Sequence, residues 1–563
     1  MLAAHRYYYL KNFQRALNWI SERYGDLLDA SERAFLLQFA ELPQGSQALL
    51  VRMLMRRGPW FLQSKLVYDE IPSISDAVVP LLHFGLVDSQ QPLGLDELFT
   101  LHTKSELLLM FADFPMQPSL RKAEMLEALR HARDEQKTYA LWNLQSPHAA
   151  LRVMVGQLNE RFRLMFFGNM RQGWSEFVLA DLGVFKYEDV KFDAESRAFQ
   201  SRVDVDCYLE LYQCRQRLGE RGEICNVLRD ATRCVTANPW LEARRARLLL
   251  RIGQACERLQ DWVQAEAAYL QTGYPGARYR RMRVYERTAR HAEAFDLAKV
   301  AEASPESEEE RQRVQRMLIR LQRRLGATSK GRCSSDAAAQ NRTDVTLCLS
   351  ALPGSVESAL RDHFHNVDAP VFYVENTLIN SLFGLLCWEA IFAPVPGAFF
   401  HPFQTGPADL NAPDFVQRRR PAFDACLAQL DDGTHCHTIR QHFGEKHGVQ
   451  SPFVFWGALP EGLMDLALQC IPAAHLKLFF LRLLSDINAN RTGLPDLVRF
   501  WPAQCRYELV EVKGPGDKLQ DNQIRWLQYF QEHGIPASVC YVKWREAPDH
   551  QPLQQGDAEQ VTA

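Results

Sequence analysis

Asp496, Glu511 and Lys513 are separated by fourteen intervening residues and then by one in the stretch GLPDLVRFWPAQCRYELVEVKGPGDK. Alternation along RYELVEVKG sends Leu509, Glu511 and Lys513 to one face of a strand and Val510 and Val512 to the other, so the charged pair shares a face. Upstream, GLPDLVRFW reads as the preceding antiparallel strand, with Asp496 at its start and WPAQC short enough to close a hairpin. Asp496 then lies beside Glu511, and two carboxylates come within reach of one hard cation with an ammonium alongside. The chemistry open to such a group is phosphodiester hydrolysis. Oxygen ligands hold Mg²⁺ or Mn²⁺, the ion polarises a phosphate and acidifies water, and the ammonium stabilises developing charge. A Glu-x-Lys triplet on a strand also occurs as a plain solvent-face pair. Three features favour catalysis: Gly-Leu-Pro before the Asp, Gly-Pro-Gly after the Lys, and a following helix carrying Gln523 and Trp526.

The pattern Asp-x14-Glu-x-Lys is the PD-(D/E)xK nuclease signature. That fold takes a further acidic ligand from a helix ahead of the first core strand. Glu375, in FYVENTLINSLFGLLCWEAIF, is the candidate: it opens what reads as a long apolar helix, where the macrodipole favours an anion. A simple N-terminal charge preference would place it there too. Pro413-Asp414 is a second Pro-Asp, but Arg418-Arg419-Arg420 follows it rather than Glu-x-Lys, and it is set aside as a ligand.

These residues must be positioned by a much larger chain. Its 563 residues exceed one core and imply three or four domains. A net charge of −3 gives no global basic signature, although nucleic-acid binding needs only a local basic track. Thirteen cysteines without CxxC spacing suit reduced, cytosolic thiols. No signal-peptide core opens the chain, and LINSLFGLLCWEAIFAPVPGAFF is too short and broken to span a bilayer, so an intracellular soluble protein is expected.

The expected fold is multidomain and mainly α. Residues 1–90 form a helical, winged-helix-like region, locally basic through Arg52, Arg56, Arg57 and Lys65. Residues 91–150 look like a SAP helix-turn-helix, with Ser119 as N-cap and Arg121 and Lys122 in the first turn of its second helix. From 151 to 325 the chain is nearly all helix, and a shift of 29 residues aligns Glu257-Arg258 with Glu286-Arg287 and Ala265 with Ala294. Small residues at such crossings resemble degenerate TPR repeats, or an irregular helical solenoid. A polar linker (326–345), an α/β nuclease domain (346–547) with a helical insertion, and a disordered tail (548–563) complete the chain.

Taken together, YVENTLINSLFGLLCWEAIF, PDFVQRRRPAF, GLPDLVRF and LVEVKGPGDKLQDNQIRWLQYF resemble the Fanconi-associated nuclease family in its bacterial branch, and the C-terminal part is similar to a VRR-NUC module. The resemblance implies a structure-selective DNA nuclease that incises 5′ flaps, has 5′→3′ exonuclease action, takes part in interstrand crosslink repair, and requires Mg²⁺ or Mn²⁺. It implies Glu375, Asp496 and Glu511 as metal ligands with the Val512 carbonyl, Lys513 as the catalytic lysine, and Gln523 as a helper. Arg281 and Arg287 match arginines that line a pocket for a DNA 5′ phosphate, and Arg121 and Lys122 are further DNA-binding candidates. The implied partner is branched DNA, bound by a cytoplasmic, nucleoid-associated monomer. THCHT (His435, Cys436, His437) suits no structural zinc site, so no ubiquitin-binding zinc finger is expected. Glu375 and Asp496 are 121 residues apart, and the helices between them are expected to shape a channel for one duplex arm and to block symmetric junction cutting. Two other readings stay open: a non-catalytic DNA-docking scaffold, and a junction-resolving or restriction-type endonuclease.

Overall fold

Tyr9, Phe13, Ala16, Leu17, Ile20 and Tyr24 recur at helical spacing along Tyr8–Tyr24, and all are buried. The computed structural model that shows this describes residues 6–545 except 115, 116, 118, 133, 134, 144–148, 177–184, 220–223, 327–342 and 350–353. It divides into two compact units, Met1–Ala277 with Pro394–Asp409 and Arg278–Ala393 with Leu410–Ala563.

In the first unit, helices Tyr8–Tyr24, Ala30–Glu41, Gln44–Leu54 and Ile74–His83 share a core with a small antiparallel sheet. Its strands are β1 (Trp60–Leu62), β2 (Val87–Asp88) and β3 (Ala150–Val153), in the order β1-β3-β2. The central strand therefore arrives only after the SAP-like segment, which is inserted between β2 and β3 and has its own core around Leu98, Phe99, Leu107, Met125 and Leu129. Much of the basic character read from residues 52–65 is neutralised. Arg52 pairs with Glu70 at 2.6 Å and lies on the Tyr9 ring, and Lys65 pairs with Glu106 at 2.7 Å.

Ser119 is not a helix cap. The second SAP helix runs Lys122–Ala132, and Glu124 caps it by reaching back to the Arg121 N–H at 2.6 Å. The 29-residue repeat is present in the backbone. Gln260 and Ala289 both adopt left-handed φ, +60° and +58°. The Asp261 and Arg290 N–H groups bond back to Cys256 and Tyr285 at 3.0 and 2.9 Å, and Ala265 and Ala294 are both fully buried. Each pair is related by the same shift.

The linker read at 326–345 lies mostly outside the described residues. Its end does not, and it is strand: β4 (Thr343–Leu349) starts there. With β5 (Val371–Tyr373), β6 (Leu497–Trp501), β7 (Arg506–Lys513) and β8 (Ala537–Trp544) it forms a five-stranded sheet in the order β4-β8-β7-β6-β5. β8 runs parallel to both β4 and β7, and β7-β6 and β6-β5 are antiparallel. The expected hairpin is the β6-β7 pair, in the register Leu497↔Val510, closed by a short turn at Pro502–Gln504 with Cys505 at φ +47°. Alternation does the rest. Val510 and Val512 enter a core with Ala359 and Leu360 of helix Val356–Phe364, while Glu511 and Lys513 face the other way. Seven α-helices, Leu378–Leu386, Trp388–Ile391, Arg420–Asp432, His435–Glu445, Glu461–Cys470, Ala473–Ser485 and Ile487–Asn490, stand between β5 and the hairpin. The tail from 548 lies outside the described residues. Among the described residues no single helix is long and apolar enough to cross a bilayer.

Candidate active site

Three strand ends lie side by side at one edge of the second unit's sheet. Tyr373 of β5 pairs with Leu497 of β6, which pairs with Val510 of β7. One step further along, the Val374 N–H donates to the Asp496 carbonyl at 2.8 Å and the Val512 N–H donates to the Asp496 carboxylate at 2.8 Å. Glu375, Asp496 and Glu511, up to 136 residues apart in the chain, are thereby brought to adjacent positions.

Glu375 is held differently from the expectation. The helix after it begins only at Leu378 and ends at Leu386, so Glu375 sits in the turn that follows β5 rather than on a helix N-terminus. Asn376 builds that turn. It takes φ +51°, a conformation Asn tolerates better than most side-chain-bearing residues, and its Oδ1 accepts the Leu494 N–H at 3.1 Å. Asn380 Nδ2 then bonds both the Asn376 and Arg491 carbonyls, at 2.7 and 2.9 Å. The turn bearing Glu375 is thus laced to the GLPD segment. The Glu375 carboxylate is exposed and accepts from the Tyr373 hydroxyl and, at 3.3 Å, from Asn376 Nδ2.

Asp496 and Glu511 are buried, with Glu511 only 1% exposed. Lys513 Nζ and Gln523 Nε2 both reach Glu511 Oε1, at 2.8 and 2.6 Å. Gln523 is itself oriented, because its Oε1 accepts the Gln520 N–H at 2.9 Å at the start of helix Asp521–Glu532. Burial, and then the charge of Asp496, push the Glu511 carboxyl up to about 7. Burial raises Asp496 to about 6 against the pull of the Val512 N–H, with Glu375 and Glu357 adding to the rise. Glu357 was not identified from the sequence. It lies in the first turn of helix Val356–Phe364, and the signal that marks that turn is Ser355, whose side chain caps the Ser358 N–H at 3.2 Å.

Two buried acids with an exposed third beside them make an all-oxygen set of the kind a hard divalent cation takes, although among the described residues no three such side chains stand close enough to enclose an ion as they are. The residues that would hold it are Glu375, Asp496 and Glu511. The Val512 carbonyl is available as well: a strand residue's N–H and C=O point to the same edge, and for Val512 that edge is the one where Asp496 stands.

The DNA-binding candidates are scattered. Lys122 Nζ is engaged by the His102 carbonyl at 2.7 Å, and Arg121 is exposed. Arg281 and Arg287 share helix Ala277–Arg287, but six residues put them about 120° apart around its axis. A cluster missed in the sequence lies in the first unit. Arg244, Arg247 and Arg251 recur on one face of helix Pro239–Arg258, in LEARRARLLLR. Arg244 lies over the Trp240 ring at 4.1 Å, and burial, then the charges of Arg171, Arg247 and Arg215, pull its guanidinium below its ordinary value. Among the described residues no carboxylate pairs with Arg171, Arg215, Arg247 or Arg251. The spacing in LEARRARLLLR was the available signal.

Comparison with known proteins finds relatives over most of the chain. The VRR-NUC domain profile matches residues 431–544, which takes in Asp496, Glu511, Lys513 and Gln523 but leaves Glu375 and two strands of the sheet outside. The FAN1 HTH domain matches 7–88 and the Fanconi anemia-associated nuclease SAP domain matches 92–142. A Fanconi-associated nuclease 1 homolog of Pseudomonas aeruginosa is 51% identical over 538 residues, 96% of each chain. Fanconi-associated nuclease 1 of Homo sapiens is 24% identical over 95% of this chain and 62% of its own length. Among solved structures, paFAN1 bound to 2-nt 5′ flap DNA with a gap has 50% identity and a TM-score of 0.88, over 97% of this chain and 99% of that one. The complex with 1-nt 5′ flap DNA gives 0.87. With the strand-end carboxylates, the inserted SAP module and the helical repeats all in place, the chain belongs to the Fanconi-associated nuclease 1 family.

Proposed function

We propose that this protein cleaves 5′-flap and related branched DNA by Mg²⁺- or Mn²⁺-dependent phosphodiester hydrolysis, continues as a 5′→3′ exonuclease, and serves interstrand crosslink repair in the cytoplasm, on the nucleoid. The observation that carries the reading is the alignment of the β5, β6 and β7 ends, which puts Glu375, Asp496 and Glu511 at one edge with Lys513 beside them. Glu375, Asp496, Glu511 and the Val512 carbonyl would hold the ion in this reading, and a bound ion would supply Lewis acidity toward the phosphate and the attacking water. The protein's own groups do the rest. The Val512 N–H fixes the Asp496 carboxylate. Gln523 holds Glu511 through Oε1. Lys513, seated against the same carboxylate, carries the positive charge that offsets charge building on the phosphate. The complexes of paFAN1 with gapped 5′ flap DNA support the choice of substrate. Arg247 and Arg251 of the Pro239–Arg258 helix, with no carboxylate partner among the described residues, suit backbone phosphates read by shape rather than by base.

The test is an end-labelled comparison of 5′ flap, 3′ flap, blunt duplex and four-way junction, with and without Mn²⁺, and with Asp496→Ala as control. Metal-dependent cutting of the 5′ flap, lost in the variant, is the expected result. Equal cutting of the four-way junction would favour a junction-resolving enzyme, and binding without cutting would favour a scaffold.

A further inference from the structure

Tyr373 ends β5, the edge strand of the sheet, and is 48% exposed. Its hydroxyl donates to the Glu375 carboxylate, and this contact sets the ring at the border of the active site. A cleft of about 490 Å³ opens against Tyr373, lined by Arg361, Asp362, His365, Phe372, Gly457 and Pro460 among others. That volume lies within the span of small-ligand pockets. Glu375 and the cleft share Tyr373 as a wall.

We propose that this cleft receives the nucleoside attached to the scissile phosphate, with its base stacked on Tyr373. The inference rests on the nuclease reading above and names where one residue of the substrate goes. A phosphate held at the strand-end carboxylates carries a nucleoside on each side, and Tyr373, which lines the cleft, also bonds Glu375. Its wall suits a base and not a particular base. Tyr373 offers an aromatic face, and a side chain added at Gly457 would meet nothing within 4 Å, so the floor there is open. The polar side chains on it are Arg361, Asp362, His365 and the Tyr373 hydroxyl, which is spent on Glu375. His365 Nδ1 accepts the Val371 N–H at 3.1 Å, which leaves Nε2 to donate, and Arg361 stands at the rim paired with Asp362 at 2.7 Å. One stacking face with sparse donors holds any base, as a structure-selective enzyme requires. The competing account is that Tyr373 serves only to orient Glu375 through its hydroxyl.

Ring and hydroxyl are separable. A 5′ flap substrate carrying 5-iodouracil on either side of the cut site is bound in Ca²⁺ and photolysed, and the crosslinked peptide is identified by mass spectrometry. The expected result is a crosslink to Tyr373 from one of the two positions, retained in Tyr373→Phe and lost in Tyr373→Leu. Alongside it, kcat/KM in Mg²⁺ should fall about tenfold in Tyr373→Leu relative to Tyr373→Phe, the loss of one stack. Because the side chain is half exposed, melting temperatures should match. A crosslink that maps elsewhere, or that survives in Tyr373→Leu, overturns the proposal, as does equal loss of activity in the two variants. Failure of the wild-type enzyme to cut in Mg²⁺ would instead count against the nuclease reading.

Discussion

The Val512 N–H donates to the Asp496 carboxylate at 2.8 Å, just past the last β6-β7 residue pair. A side chain thus takes the place that a further strand residue would have had, and the strand end presents a carboxylate. Asp496→Asn keeps an oxygen that can accept this N–H but loses the charge. We expect cleavage to fall by about 100-fold or more, the scale of removing a key charge at a reacting centre, with the melting temperature unchanged or raised. Asp496→Ala should lose both activity and stability, since it orphans the buried Val512 N–H. Steady-state cleavage and thermal melts distinguish the two variants.

Ion-free, Asp496 and Glu511 titrate at about 6 and about 7, above the ordinary carboxylate range. Between about pH 4 and 7 the folded chain therefore binds more protons than the unfolded chain, and its stability falls as pH rises through that window. A cation needs the ionised forms and reverses the penalty. The increase in melting temperature produced by Mn²⁺ should grow from pH 5 to about 7.5 and then level off. A shift that is flat over that range would show that these two carboxylates do not hold the ion.

Gln523 holds Glu511 at 2.6 Å and takes the Gln520 N–H at 2.9 Å, so it transmits the position of a helix start to a carboxylate. Removing such an outer partner costs about 10- to 100-fold in metal affinity or activity. Gln523→Ala should do so through kcat and the Mn²⁺ concentration required, with DNA affinity in Ca²⁺ intact. Gln523→Glu places a second acid against Glu511 and should move the acidic limb of the pH–rate profile upward.

Gly493 opens the GLPD motif at φ +90°, and a Cβ there would sit 2.9 Å from Asn522 backbone and side-chain atoms. Both the conformation and the contact exclude a side chain. Gly493→Ala should cost about 1–3 kcal/mol in urea unfolding and separate Asp496 from helix Asp521–Glu532, lowering activity beyond what the unfolded fraction explains.

Arg247 is exposed, among arginines with no carboxylate partner among the described residues. If it meets a phosphate, Arg247→Ala should weaken flap DNA binding at all sequences and reduce the slope of log K against log salt by about one. Titrations at several salt concentrations read this directly, and an unchanged slope would remove Arg247 from the DNA interface.

The hairpin and its charged face were legible because they are local. Strand alternation places Glu511 with Lys513 and apart from Val512, and a short connection returns Asp496 to their side; the structure adds only the register. The 29-residue repeat was legible for the same reason, since Gln260 and Ala289 end helices in the same way by local rules. What lies between distant segments could not be read. The helix expected to carry Glu375 begins three residues late, because the turn before it is set by bonds from Asn376 and Asn380 to residues more than a hundred positions away. Glu357 enters the site's field only when helix Val356–Phe364 packs on the sheet, and the basic stretch near Arg52 loses its charge to Glu70 only through the fold. Residue types and short spacings determined which groups could do chemistry. The tertiary structure decided which of them meet, because pairing β5 with β6 joins segments whose proximity no local periodicity encodes.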